Sequence, residues 1–353
     1  MLGKTTTVEA SPNIALVKYM GRRGPGNLPE NSSVSITLDE SLHVRTSVLF
    51  DQRLKEDALF IDGTKQDLKD PKNEKNRFIP NALDFLRGKA GIKTRALISS
   101  ESHMPKAAGV ASSAAGGAAI AYAGAVAAGL ELSQEQISIG ARLVSGSASR
   151  SMFGGFVIWD KGERTDGLDS YARQLADKSY WPEVIDVVGI VSSSKKKVSS
   201  GEAHDHVKTS ELYKERPEIA ERHVGRLVDA IQRRDFQTLA EVTMADSNSM
   251  HGVFFDSQPP IIYLNDRSFA TIDAINELNR REGGLVAAYT FDAGPNPQVI
   301  TLERYREKVV DALKGVEGME RVMVARQGSG PKLLGEKDSL IDESTLGPTM
   351  ATA

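Results

Sequence analysis

Residues 105–119 read PKAAGVASSAAGGAA, a run of small residues that passes straight into helix-compatible sequence. Gly109, Gly116 and Gly117 let backbone N–H groups come close to an anion, Ser112 and Ser113 add hydroxyl donors, and the Ala-rich continuation to Ala128 supplies a positive helix N-terminus. These are the parts of a phosphate cradle. The stretch is not a Walker A loop, whose Gly-x-x-x-x-Gly-Lys-Ser/Thr order is absent, nor a Gly-x-Gly-x-x-Gly dinucleotide turn. By itself it reads equally well as a small-residue helix packed tightly on a neighbour. Upstream, residues 94–100 have the composition of a strand, and a strand, a Gly-rich turn and a helix in sequence form an arrangement that holds anions.

The chain of 353 residues, 40% of them hydrophobic, is long enough for one large or two medium domains. A net charge of −3 gives no general basic field for nucleic acid, so anion binding must come from local groups. No apolar run reaches membrane-spanning length and the first residues lack the apolar core of a signal peptide; no membrane partner and a cytoplasmic location are therefore expected. The absence of cysteine excludes disulfides, thiolate nucleophiles and Cys-bound metals, and six scattered histidines argue against a metal cluster. His204 and His206, in a polar stretch, are expected to face solvent.

Outward from the cradle, residues 5–10, 13–19, 34–38 and 42–50 are β-prone, and Asp62-Gly63 signals a hairpin. Lys18 ends the second run, and a Gly/Pro/Asn-rich loop after it carries Arg22 and Arg23, read as anion contacts with a simply solvated pair as the alternative. Residues 77–87 have helical apolar spacing, and Ser133 starts another helix. That helix ends in Ser145-Gly146-Ser147-Ala148-Ser149-Arg150-Ser151, a tight loop in which one guanidinium among serines suits a carboxylate or phosphate; the alternative is a flexible linker. The composition shifts near residues 181–186, which divides the chain into lobes 1–184 and 185–353. Residues 185–191 read as a buried strand, 192–200 as a solvated loop, and 209–240 as helical, while 247–251 read as a polar cluster after a helix. Asn265-Asp266 caps a helix. Residues 285–291 then form a strand that delivers Asp292 beside a Gly-Pro turn, where it is either poised for acid/base work or a simple turn former. Residues 321–326 are a last strand, and the tail from 334 is polar and expected to be partly mobile.

Taken together, these stretches resemble the mevalonate diphosphate decarboxylases of the superfamily named after galacto-, homoserine, mevalonate and phosphomevalonate kinases. The matches run in order from Asn13-Ile14-Ala15 with Lys18-Tyr19, through Ala108-Gly109-Val110-Ala111-Ser112-Ser113 and Ser145-Gly146-Ser147-Ala148 with Arg150-Ser151, to Asp246-Ser247-Asn248-Ser249 and Phe291-Asp292-Ala293-Gly294-Pro295-Asn296. The resemblance implies an α+β, two-lobed fold with the active site between lobes, a phosphorylated small-molecule substrate and a homodimer. It places Asp292 beside the substrate 3-oxygen, Lys18 as its cationic partner and Arg150 on the substrate carboxylate. Further substrate contacts are implied at Tyr19, Arg22, Ser145, Ser147, Ser149, Ser199 and Ser200, and phosphate contacts at Lys106, Gly109, Ser112 and Ser113, with no protein-held metal.

Two departures bear on the substrate. The family's Lys-Tyr-Trp-Gly-Lys is here Lys18-Tyr19-Met20-Gly21-Arg22, in a segment near the 5-diphosphate of relatives. Lys106 stands where many members have Thr, with Ser102 and His103 in place of an Asn-rich pair near the nucleotide pocket. Lys106 suits an ATP phosphate or a phosphate already on the substrate. These departures favour conversion of mevalonate 3,5-bisphosphate to isopentenyl phosphate, phosphate and CO2 with no cofactor. The alternative is decarboxylation of mevalonate 5-diphosphate or 5-phosphate with ATP and Mg. A kinase that stops at phosphorylation and a simple metabolite-binding module fit less well with three charged candidates delivered from three separate loops.

Overall fold

The computed structural model describes residues 3–70, 78–104, 112–191 and 198–345. The chain opens with β1 (Thr6–Ala10) and β2 (Asn13–Val17), a small ribbon of β3 (Arg22–Gly24) and β4 (Leu28–Pro29), then β5 (Ser33–Thr37) and β6 (His43–Asp51). The hairpin β7 (Ala58–Ile61) and β8 (Thr64–Gln66) turns through Asp62 and Gly63, both at positive φ, as the Asp-Gly signal requires. After α1 (Ile79–Ala90) and β9 (Arg95–His103), α2 (Ser112–Ala127) and α3 (Gln134–Val144) lead to β10 (Phe156–Trp159) and β11 (Ala172–Ala176). The second half contains β12 (Val184–Ile190), α4 (Ser200–His206), α5 (Arg216–Arg233), α6 (Phe236–Asp256), α7 (Asp266–Glu282), β13 (Ala287–Thr290) and β14 (Gln298–Leu302). Helix α8 (Arg306–Lys314), β15 (Arg321–Ala325) and β16 (Lys332–Leu333) follow.

Among the described residues three larger sheets form, ordered β16-β1-β6-β9-β7-β8, β11-β10-β5-β2 and β13-β14-β12-β15. Beyond its two leading serines, helix α2 is buried on nearly every face, as its small and largely apolar composition requires. A Cβ on Gly117 would stand 2.7 Å from the Ala148 Cβ, so glycine sets how closely α2 approaches the following helical turn. The body of this helix packs tightly and its first residues, Ser112 and Ser113, line the cavity described below, while residues 105–111 of the stretch lie outside the described residues. Cap signals act as written. Ser133 and Gln136 form a capping box on α3, and the Asn265 side chain accepts from the N–H groups of Arg267 and Ser268 at the start of α7.

The two halves are not separately cored. Ile14, Val34, Ile36 and Phe156 share one apolar cluster with Val184, Leu227, Leu239 and Ile300. The last described stretch also returns to the first half, with β16 pairing antiparallel to β1 and Thr5 bonded to Glu343. Residues 334–345 are therefore fixed in part by pairing, which their polar composition did not signal.

Other expectations need correction. The 145–151 loop is a 3-10 helix, Gly146–Met152. The helical run expected over 209–240 is broken at Arg234, which adopts a left-handed conformation, and Asp235 then caps α6 through Thr238 N–H. The polar cluster 247–251 lies inside α6, not after a helix, because Asp246 and Ser247 find partners in other elements. Among the described residues no helix is long and apolar enough to cross a membrane.

Candidate active site

A cavity of about 510 Å3 opens between the two halves. Lys18, Tyr19, Arg22, Ser112, Ser113, Ser145, Ser147, Arg150, Ser199, Ser200 and Asp292 all line it. Lys106 and Gly109 lie outside the described residues. Ser149 does not reach the cavity: it is fully buried, its hydroxyl donates to the Gly146 carbonyl at 2.7 Å, and its carbonyl accepts from Ser138 Oγ. Its work is to hold the 3-10 turn together.

Strand β2 ends at the cavity and delivers Lys18, whose Nζ lies 2.7 Å from Asp292 Oδ1. The lysine side chain is 2% exposed and the Asp292 side chain 39%, so the carboxylate is presented to a ligand while the ammonium stands behind it. In the turn after β13 the Gly294 N–H donates to the Asp292 carbonyl, and the Asp292 carboxylate pairs with Lys18. Arg150 is buried beside them, with Nε donating to Asn13 Oδ1 and Nη1 to Ser33 Oγ. Burial, partly offset by the Asp292 charge, brings its pKa down to about 10, so it remains a cation at neutral pH. Asn13 also donates to the Ser147 carbonyl and to Ser151 Oγ, which ties the arginine to the serine-rich turn.

The loop arginines separate. Arg22 faces the cavity, with Asp205 3.5 Å away, whereas Arg23 donates to the carbonyls of Lys161 and Arg164 and so pins one loop to another. Met20, in the family's Trp position, packs with Ala203, Val207 and Met250. Ser102 lines the cavity, while His103 stacks on His43 at 4.5 Å and is not among its lining residues. His204 is buried, contrary to the sequence expectation, because its Nδ1 accepts the Gly21 backbone N–H and its ring stacks on Tyr19. His206 is half-buried, with Nε2 2.7 Å from the Pro259 carbonyl.

Sequence reading assigned no role to the charges behind Lys18. Asp246 of α6, fully buried, accepts the Lys18 backbone N–H at 2.7 Å, pairs with Arg216 at 2.9 Å and meets His223 Nδ1 at 2.9 Å. Asn31 donates to the Lys18 carbonyl. The end of β2 is therefore clamped on both sides of the Lys18 backbone. Helical spacing supplies the one available signal: Asp246, Ser247, Met250 and His251 recur at the interval of a single buried helix face.

Asp186, in the middle of β12, is also buried, and neither carboxylate oxygen makes a full hydrogen bond among the described residues. Burial first and then the Asp292 charge push its carboxyl up, the Lys18 charge and the Val299 amide draw it down, and the balance is about 7. Between the ordinary carboxylate value near 3.8 and about 7, the folded chain binds a proton that the unfolded chain has released, so stability falls as pH rises through that window. Asp186→Asn removes this contribution. Its stability relative to wild type should rise by about 2 kcal/mol from pH 5 to pH 8, read by urea unfolding at each pH. A difference that stays constant with pH would show that the folded carboxyl is not held protonated.

The fold and the cavity together define a small-molecule enzyme of the galacto-, homoserine, mevalonate and phosphomevalonate kinase type, acting on a phosphorylated substrate. The N-terminal part, residues 10–172, matches the model of the diphosphomevalonate decarboxylase-like N-terminal domain, and residues 186–331 match the mevalonate 5-diphosphate decarboxylase C-terminal domain. The chain is 36% identical to the diphosphomevalonate decarboxylase of Debaryomyces hansenii in an alignment covering 98% of this chain and 99% of that protein. The mevalonate diphosphate decarboxylase from Trypanosoma brucei superposes with a TM-score of 0.87 at 32% identity, covering 96% of this chain and 100% of that one. A structure described as MDDEF in complex with MVAPP, AMPPCP and magnesium superposes with a TM-score of 0.84 at 32% identity, covering 94% and 98%. The chain belongs to the diphosphomevalonate decarboxylase family and is a carboxy-lyase of the mevalonate pathway, decarboxylating a phosphorylated mevalonate in isoprenoid biosynthesis.

Proposed function

We propose that the chain converts mevalonate 5-diphosphate and ATP to isopentenyl diphosphate, ADP, phosphate and CO2. The observation that carries this reading is the Lys18–Asp292 pair, a buried ammonium behind a half-exposed carboxylate, sharing one cavity with Arg150 and the start of α2. The sequence departures favour the nucleotide-free bisphosphate reaction. The relatives favour the ATP-dependent one: they are named for the 5-diphosphate, and the MDDEF structure carries MVAPP with AMPPCP, an ATP analogue, and magnesium. What supports a nucleotide here is that Ser112, Ser113 and the first turn of a 16-residue helix offer hydroxyl and N–H donors suited to phosphate oxygens. No group of three His, Asp or Glu that could hold a metal occurs among the described residues, which suits a Mg ion carried mainly on phosphate oxygens.

In this reading Asp292 lies against the 3-hydroxyl and takes its proton as that oxygen becomes phosphorylated, ATP supplying the phosphoryl group. Lys18 neutralises charge on the Asp292 carboxylate and then on the 3-oxygen as the carbon–oxygen bond breaks and phosphate leaves. Arg150 holds the substrate carboxylate in line, so that the electrons of the carboxylate–carbon bond form the new double bond as CO2 departs. Ser145 and Ser147 border the same carboxylate, and Arg22, Tyr19, Ser199 and Ser200 border the 5-phosphoryl end. The homodimer and the cytoplasmic location implied by the sequence are kept as parts of this proposal.

The test is a pair of incubations with purified protein. Mevalonate 5-diphosphate with ATP and Mg should release CO2 and ADP in equal amounts, and mevalonate 3,5-bisphosphate without nucleotide should release none. The reverse result would restore the bisphosphate reading, and ADP without CO2 would make the chain a kinase.

A further inference from the structure

The Arg22 end of the cavity contains a side chain that the proposed chemistry leaves unused. His204 lines the cavity and stacks on Tyr19 with ring centroids 4.1 Å apart. Its Nδ1 accepts the Gly21 backbone N–H at 3.0 Å, which puts the ring proton on Nε2. Gly21 itself is pinned. Its φ is +87°, and the Tyr213 hydroxyl lies 1.6 Å from where a Cβ would be, so only glycine presents its N–H here. Burial, and after it the Arg22 charge, holds the imidazole well below its ordinary pKa, which makes it an uncharged donor at neutral pH.

The groups around it are donors with few acceptors among the described residues. The Tyr19 hydroxyl and Arg22 Nε are buried; the side-chain hydrogen bond that the Tyr19 hydroxyl makes is with Arg22, itself a donor, so the phenol proton has no acceptor among the described residues. The ion pair of Arg22 with Asp205 is long, 3.5 Å, and the Asp205 side chain is largely exposed, so it neutralises the guanidinium weakly. Buried donors of this kind are normally satisfied, and a cluster of them beside a cation suits anionic oxygens. In the reading above, the substrate carboxylate is assigned to Arg150 and the reacting oxygen to Lys18 and Asp292. The charged group that remains is the 5-diphosphate, and among the described residues that line the cavity the cation that remains is Arg22.

We propose that His204 is a specificity-determining residue whose Nε2–H donates to the terminal phosphoryl group of the 5-diphosphate, alongside Arg22 and the Tyr19 hydroxyl. This deepens the reading above and rests on it. Because the ring is fixed by Gly21 on one edge and Tyr19 on one face, the donor cannot follow a shorter ligand, and a 5-monophosphate gains little from it.

Two replacements separate the ligand contact from the internal one. His204→Asn places an amide oxygen near the Nδ1 position, keeping an acceptor for Gly21 but losing the far donor. His204→Gln reaches the Nε2 position with an amide nitrogen. Binding of mevalonate 5-diphosphate and of mevalonate 5-phosphate, measured by calorimetry without nucleotide, is the readout. Kd for the diphosphate should rise about tenfold or more in His204→Asn and stay within about threefold of wild type in His204→Gln, with the monophosphate little changed in either. An unchanged diphosphate Kd in His204→Asn, equal losses in both variants, or equal losses for both ligands would overturn the proposal. Wild type that binds neither ligand would overturn this proposal and the substrate assignment together. The expected binding pattern without CO2 release would overturn the assigned reaction alone.

Discussion

Lys18→Met should lower kcat by about 10²- to 10³-fold while changing KM far less, since the ammonium acts on charge that develops at the 3-oxygen and not on the substrate's distal groups. Methionine matches the lysine stem in length and apolar character, so the buried channel that Lys18 occupies, 2% exposed, stays filled. The loss then reads the charge and not a cavity. CO2 release under saturating substrate measures it. A loss below about tenfold would remove Lys18 from the reacting centre and leave the pair with Asp292 as a structural ion pair.

Asp246→Ala should destabilise the fold by about 3–5 kcal/mol, the cost of leaving a buried charge uncompensated. Arg216 is fully buried, and its Nε and Nη1 have no hydrogen-bond partner among the described residues, so the contact from Nη2 to Asp246 is its principal compensation. The same substitution removes the acceptor of the Lys18 backbone N–H. Urea unfolding at constant pH gives the stability. Asp246→Leu combined with Arg216→Met removes both charges together and should cost less than the sum of the two single changes. Additive losses would mean that the two side chains are not energetically paired.

The elements that the sequence announced are those specified by neighbours in the chain. The Asp62-Gly63 hairpin, the helix start at Ser133 and the Asn265 cap each depend on residues within four positions, and all three form. The parts that were not legible depend on partners far along the chain. The polar run 247–251 reads as a cluster after a helix because its side chains look solvated, yet it lies within α6, where Asp246 meets Lys18 and Arg216 and Ser247 accepts the Phe291 N–H. His204 was placed at the surface because nothing within ten residues shows that Gly21 will meet it. Strand β14, Gln298–Leu302, follows a Gly-Pro-Asn-Pro turn that hides so short a run, and only pairing between β12 and β13 makes it a strand. The cavity was legible as chemistry, through Lys18, Arg150 and Asp292. The clamp that steadies it was not.

The pairing of β16 with β1 has a consequence for how the molecule keeps to itself. Were residues 332–345 displaced, β1 would become the outer strand of a six-stranded sheet reduced by one, with its backbone donors and acceptors open to any extended segment nearby. The polar closing stretch thus acts as a selvedge, finishing the sheet so that it does not fray into contact with other chains.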